Sequence, residues 1–287
     1  MPAPATLGVF ARRKRKGEKL VVLTAYDLTS ARIAAAAEVD AILVGDSLGM
    51  VVLGHETTLP VTLDDMVRHT AAVTRARPGL PVIADLPFGS FHVDAPRTVE
   101  AALRLVKEGG ATAVKLEGGR KREAVIRALL DAEIPVMGHL GLTPQSVHRL
   151  GGWKVQGRGA EAAARLRDEA AFLQDLGCFS LVLECVPAAL AAEASAALTI
   201  PTIGIGAGPG CDGQVLVFHD LLGLFDDLAP SFVKRYAELG RDAVAAVGRW
   251  RDEVRAGVFP GPEHGFLDQD APAAGSYGGG AAGKERA

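Results

Sequence analysis

The chain has 287 residues, of which 48% are hydrophobic, 23% charged and 5% aromatic, and its charges sum to −3. That apolar content excludes wholesale disorder, and the composition excludes a collagen or a disulfide scaffold. The acidic balance argues against a general nucleic-acid binder, which needs a basic excess to displace counterions.

In chain order the first feature is a basic run, Arg12-Arg13-Lys14-Arg15-Lys16, followed by Leu20-Val21-Val22-Leu23, which Thr24 and Asp27 cut short. A secretory signal wants a longer apolar stretch, so the run reads as a solvated helix face leading into a strand. Short apolar runs then recur at Leu20–Ala25, Ala41–Val44, Pro81–Ala84, Ala113–Leu116, Pro135–Gly138, Phe179–Leu183, Pro201–Ile205 and Gln214–Phe218. They are rich in Val, Ile and Leu and bounded by Gly or Pro, as strands buried on both faces are. Helical periods lie between them. Val99, Ala102, Leu103 and Val106 fall at i, i+3, i+4, i+7, and Ala163, Leu166, Ala170 and Leu173 mark another helix face. Thr62-Leu63-Asp64-Asp65 reads as a capped helix start.

Eight strand candidates alternating with helices imply a parallel sheet. Eight units in about 200 residues suit a (β/α)8 TIM barrel better than an open sheet, which is the alternative. The expected organisation is one barrel domain over residues 1–267 and a disordered Ala/Gly-rich tail over 268–287. Cys178, Cys185 and Cys211 are few, odd in number and without CxxC spacing, which suggests a reducing compartment and no zinc site. The longest uncharged run, Ala194 to Cys211, is broken by glycines and prolines and is wrong for a membrane span. A soluble cytoplasmic protein is expected.

The informative residues are those that end the strands. Asp46-Ser47, Asp85, Lys115 with Glu117, His139 and Glu184 each follow or close an apolar run. In a barrel these ends share the C-terminal rim, where sites are built. Lys115 and Glu117 are two apart and share a face; Glu184 shares one with Val182 and Ser180. Several carboxylates in one cavity repel unless something positive is present. Lys115 supplies one charge and a divalent cation would supply more. Carboxylates without thiolates select a hard cation such as Mg²⁺. Plainer readings exist for each residue: Asp46 or Asp85 as helix N-caps, Lys115 with Glu117 as a structural ion pair, His139 as a satisfied core histidine, Glu184 as merely paired. Five such strand ends together favour a site.

Two other features carry less. Gly208-Pro209-Gly210-Cys211-Asp212-Gly213 matches GxGxxG, but a strand-like run follows it and not a helix, so no phosphate cradle is expected. The stretch Leu142–Gly159, with Trp153, Lys154 and Arg158, is a loop long enough to be functional, ordinary packing being the alternative.

Read together, Leu23-Thr24-Ala25-Tyr26-Asp27, Val44-Gly45-Asp46-Ser47-Leu48-Gly49-Met50, Ala84-Asp85-Leu86-Pro87-Phe88, Lys115-Leu116-Glu117-Gly118-Gly119, Gly138-His139-Leu140-Gly141-Leu142-Thr143-Pro144-Gln145 and Leu183-Glu184-Cys185-Val186-Pro187 resemble the ketopantoate hydroxymethyltransferase family. The resemblance runs from about Thr6 to Phe266. It implies a (β/α)8 barrel of the phosphoenolpyruvate/pyruvate type, and it implies Mg²⁺ and 5,10-methylenetetrahydrofolate used to hydroxymethylate 3-methyl-2-oxobutanoate in pantothenate synthesis. By that resemblance Asp46 and Asp85 would ligate Mg²⁺ with Glu117 in or next to its shell. Ser47 and Lys115, with the two aspartates, would contact the keto acid, Glu184 would be the base, and His139 would be an additional site residue. A homo-oligomer, a decamer in the family's habit, is also implied. The competing expectations are a Mg²⁺-dependent lyase or mutase on the same barrel, a non-catalytic ligand-binding barrel, and nucleic-acid binding through Arg12–Lys16, which the single short basic run makes weakest.

Overall fold

The structure, a computed structural model, describes residues 6–227 and 230–266. They fall into two compact units, one ending at Ala237 and one beginning at Glu238. The first unit holds eight strands: β1 (Leu20–Thr24), β2 (Ala41–Val44), β3 (Val82–Asp85), β4 (Ala113–Lys115), β5 (Val136–Gly141), β6 (Ser180–Glu184), β7 (Thr202–Ile205) and β8 (Gly213–Leu216). Each pairs in parallel with its neighbours in sequence, and β8 pairs with β1, so the sheet is a closed barrel. The helices are α1 (Gly8–Lys16), α2 (Leu28–Ala36), α3 (Leu48–Val51), α4 (Leu63–Arg75), α5 (Ala95–Lys107), α6 (Glu123–Asp131), α7 (Val147–Leu150), α8 (Ala160–Leu176), α9 (Ala188–Ala197) and α10 (Phe218–Leu222). The expected (β/α)8 barrel is present. The second unit holds α11 (Leu239–Arg255), none of whose side chains is buried. The expected tail, 268–287, lies outside the described residues.

Local signals set the helix starts. The Asp27 carboxylate caps α2, Thr62 and Asp65 form the capping box of α4, and Asp94 caps α5 ahead of Pro96. The strands split their side chains between two apolar clusters, as a period of two requires. One cluster, between sheet and helices, takes Ile42, Val44, Ala84, Val114, Leu181 and Leu183. The other fills the barrel with Leu20, Val22, Ala41, Leu43, Ile83, Ala113, Met137, Val182, Ile203 and Val215. Phe10 of α1 joins the inner cluster and meets Phe179 edge-on, with ring centroids 5.2 Å apart.

Two local readings need correction. The basic run is not simply a solvated face. Arg13 pairs with the buried Asp40 at 2.6 Å, and Lys14 reaches Asp212 at 2.7 Å and the Ser195 carbonyl at 2.8 Å, so α1 is tied to strand-start residues. The eighth strand is Gly213–Leu216, and Phe218 already opens α10. The connection from β7 to β8, residues 206–212, contains no helix. A strand and not a helix follows the glycine-rich match there, as its sequence implied.

Candidate active site

The inner cluster explains where the polar side chains go. Each of four strands carries an inward apolar residue and then, two residues later, an inward polar one. Ile83 is followed by Asp85, Met137 by His139, Val182 by Glu184, and Ala113 by Lys115 and then Glu117. Asp46 and Ser47 arrive from the turn after β2. All seven line one cavity of about 460 Å³, so the structure brings every strand-end residue singled out in the sequence to the same place, while Arg158 of the long loop is not among the lining residues.

The contacts decide between the plainer readings. Asp85 caps no helix: its Oδ2 accepts the backbone N–H of Asp46 at 3.1 Å. Asp46 caps none either. Its Oδ2 accepts from the Gln145 side-chain amide at 2.8 Å, and α3 starts at Ser47 without a side-chain cap. Lys115 is not paired with Glu117. Register places Asp85 beside Lys115 across β3 and β4, and Nζ lies 3.0 Å from Oδ1. His139 does not end its strand, because β5 runs on to Gly141. Its side chain stands on the cavity floor with Nε2 3.2 Å from Glu184 Oε2 and Nδ1 3.7 Å from Glu117 Oε1. Lys115 Nζ, which can only donate, lies 3.3 Å from His139 Nδ1, so the proton of the neutral ring belongs on Nε2, toward Glu184.

Burial and mutual charge set the protonation states. Burial, then the repulsion of Asp85, pushes the Asp46 carboxyl up to about 7, against the pull of Lys115 and the Gln145 hydrogen bond. Burial and the neighbouring Asp46 raise Glu117 well above the usual carboxylate range. Burial pushes Glu184 up to about 7, with Lys115 opposing. For Lys115 burial would remove the proton, but Asp85, Glu117 and Asp46 outweigh it and hold the ammonium charged. Burial and Lys115 keep His139 neutral. Asp46, Glu117 and Glu184 are therefore each pushed toward the neutral form around one fixed positive charge.

Sequence reasoning missed several supports. Gln145 donates its backbone N–H to Glu117 Oε2 at 3.1 Å, and its side-chain nitrogen bridges Asp46 and the Leu86 carbonyl. Tyr26 is buried and meets Ser47 Oγ at 2.8 Å. Gly141, at φ 95°, sits where a Cβ would run into the Glu184 carbonyl, and Leu142 N–H donates to that carbonyl at 2.8 Å. Above the polar floor the wall is apolar, with Met50, Leu142, Trp153 and Phe232 among its residues, so the Leu142–Gly159 loop does contribute to the cavity.

A family model described as ketopantoate hydroxymethyltransferase matches residues 4–262. A 3-methyl-2-oxobutanoate hydroxymethyltransferase of Moorella thermoacetica is 57% identical over 261 residues, 91% of this chain and 97% of that protein. One from Magnetococcus marinus is 57% identical over 255 residues, 89% of this chain and 95% of its own length. Among solved structures, a phosphonopyruvate hydrolase complex with oxalate and Mg²⁺ shares the fold with a TM-score of 0.59 at 12% identity, covering 92% of each chain. A 2,3-dimethylmalate lyase, described as a member of the PEP mutase/isocitrate lyase superfamily, does so with a TM-score of 0.57 at 18% identity, over 93% of this chain and 90% of that one. No helix among the described residues is long and apolar enough to cross a membrane. The chain belongs to the ketopantoate hydroxymethyltransferase family and is a hydroxymethyltransferase.

Proposed function

We propose that the enzyme transfers a hydroxymethyl group from 5,10-methylenetetrahydrofolate to 3-methyl-2-oxobutanoate, giving ketopantoate and tetrahydrofolate, the first step of pantothenate synthesis, with Mg²⁺ required. The observation that carries the reading is that Asp46, Asp85, Lys115, Glu117 and Glu184 share one cavity floor, with Lys115 pairing with Asp85 while Glu184 lies against neutral His139. One side of the floor can hold a chelating substrate while the other takes a proton.

Among the described residues no three His, Cys, Asp or Glu side chains form a ready-made metal cage. Mg²⁺ does not need one, since it commonly uses one or two carboxylates and keeps waters or substrate oxygens. The donor set fits that habit. It is all oxygen, it has more carboxyls than cations, and Gln145 Oε1 is a buried acceptor without a hydrogen-bond donor. Asp46 and Asp85 would hold the ion, with Glu117 in or next to its shell. When bound, Mg²⁺ supplies Lewis-acid stabilisation of the keto acid's oxygens.

The chain's own residues do the rest. Ser47, held by Tyr26, and the Lys115 ammonium orient the keto acid. Glu184, poised near neutrality, takes the C3 proton as the electron pair moves toward the keto oxygen, where the charge of Lys115 favours the developing oxyanion. His139 Nε2 lies 3.2 Å from Glu184 Oε2 and packs the neutral ring against that carboxylate. The C3 carbon then bonds to the donor's one-carbon unit, water supplies the hydroxyl oxygen, and tetrahydrofolate leaves. Incubating the purified enzyme with both substrates tests the reading: ketopantoate should form with Mg²⁺ and not with a chelator in excess. Metal-independent formation, or none under any condition, contradicts it.

A further inference from the structure

Beyond the cavity, the turn that leaves Glu117 carries cations with no carboxylate in ion-pair contact, Arg122 donating only to the Phe91 carbonyl at 3.4 Å. Gly118 has φ 109°, and a Cβ there would meet Lys121 Cε at 2.9 Å and Arg122 Cγ at 3.2 Å, so both side chains fold back over the turn. Arg149 of α7 adds a third cation and acts on both. Arg120 turns away, its guanidinium 4.4 Å from the Phe172 ring.

Lys121, Arg122 and Arg149 make no ion pair with any acid among the described residues. The two carboxylates whose charge reaches Lys121, Glu117 and Glu169, are occupied by the backbone N–H groups of Gln145 and Arg120. Arg122 is half-buried, with its guanidinium 4.9 Å from the Phe91 ring, and its Nε is a buried donor with no acceptor. Burial, then Arg122 and Lys121, hold the neighbouring His92 down to about 4, so it stays neutral. Proteins rarely leave a buried donor and a knot of like charges unanswered. Arg and Lys forks in such a place suit a carboxylate or phosphate oxygen.

We propose that Lys121, Arg122 and Arg149 form an oxyanion subsite on the barrel rim that takes the glutamyl carboxylates of the folate donor. The inference rests on the function proposed above. The keto acid's single carboxylate is already served on the cavity floor by Lys115. The donor's one-carbon end must reach that floor, so its long tail must leave past the rim, and the unpaired cations stand one turn beyond Glu117. A tail of several glutamyl units would engage more than one of them.

Equilibrium binding of tetrahydropteroylmonoglutamate and tetrahydropteroyltriglutamate to the full chain, with Mg²⁺ and keto acid present and no one-carbon unit to transfer, tests this without catalysis. The wild-type protein should bind the triglutamate about fivefold to tenfold more tightly at low salt, the yield of one or two exposed ion pairs. That advantage should collapse in Lys121→Ala/Arg149→Ala and in high salt, where screening removes it. Both side chains are exposed, so the single variants should fold and lose part of the advantage each. Equal affinities in the wild type, or an advantage that survives the double variant, overturn the proposal. So does inorganic phosphate binding that these variants abolish while leaving triglutamate affinity intact. If neither folate binds, the folate reading itself is overturned and the subsite's ligand with it, and ketopantoate formation separates that case from failure of the subsite alone.

Discussion

Asp85 and Lys115 end adjacent strands at the same level, and Lys115 Nζ meets Asp85 Oδ1 at 3.0 Å with both side chains almost fully buried. Lys115 is the one fixed cation among four carboxyls. Replacing it with Met should destabilise the metal-free protein by about 3–5 kcal/mol at neutral pH, the usual effect of stripping a buried charge of its partner. The loss should be smaller at pH 5, where protonation relieves the carboxyls. Urea denaturation at the two pH values measures both.

Glu184 makes a statement about pH. Its folded value is raised from the ordinary 4.5 to about 7, and a carboxylate acting as the proposed base must be ionised. The kcat/KM for keto acid should therefore rise with pH, tenfold per unit, and level off above a midpoint near 7. The stability effect has the opposite sign. A raised carboxyl favours the protonated folded state, so its contribution is full below about 4.5 and is lost as pH rises through about 7. Rate and denaturation profiles from pH 5 to 9 should diverge in this way.

Gln145 orients the carboxyls assigned to the metal, since it contacts both Asp46 and Glu117. Gln145→Ala should raise the Mg²⁺ concentration needed for half-maximal activity by about tenfold or more, as loss of an outer-shell partner does. Saturating Mg²⁺ should restore most of the rate. A Mg²⁺ titration of activity decides it.

Gly141 is the position where β5 passes closest to the Glu184 backbone. Gly141→Ala adds a side chain at φ 95° and a clash with the Glu184 carbonyl, so it should cost about 1–3 kcal/mol of stability and lower kcat far more than KM. Thermal unfolding and steady-state kinetics test the pair of effects.

The barrel was legible because buried parallel strands announce themselves as short Val/Ile/Leu runs. Asp46, Asp85 and Glu184 were legible because each interrupts such a run. What was not legible is non-local. Lys115 finds Asp85 through strand register and not Glu117 two residues away, and a single chain carries no pairing information. His139 looked like a strand end because Gly138 resembles a boundary, yet pairing with β6 carries β5 on to Gly141. Gln145 and Tyr26 left no periodic signal, since an amide in a loop and an aromatic after a strand are both ordinary. The short β7–β8 connection was legible, because the run after the glycine-rich match reads as a strand; where that strand stops was not, since Phe218 already opens α10.

Hydrogen–deuterium exchange at C3 of 3-methyl-2-oxobutanoate, followed by NMR in D₂O without folate, tests the central claim most directly, because it isolates proton removal from one-carbon transfer. The wild-type enzyme should exchange the proton only when Mg²⁺ is present, and Glu184→Gln should slow exchange by about 10²–10⁴-fold, the usual contribution of a general base, while keto-acid binding persists. Exchange by Glu184→Gln at the wild-type rate, or exchange that ignores the metal, would contradict the assignment of Glu184 as the base beside a metal-assisted keto acid.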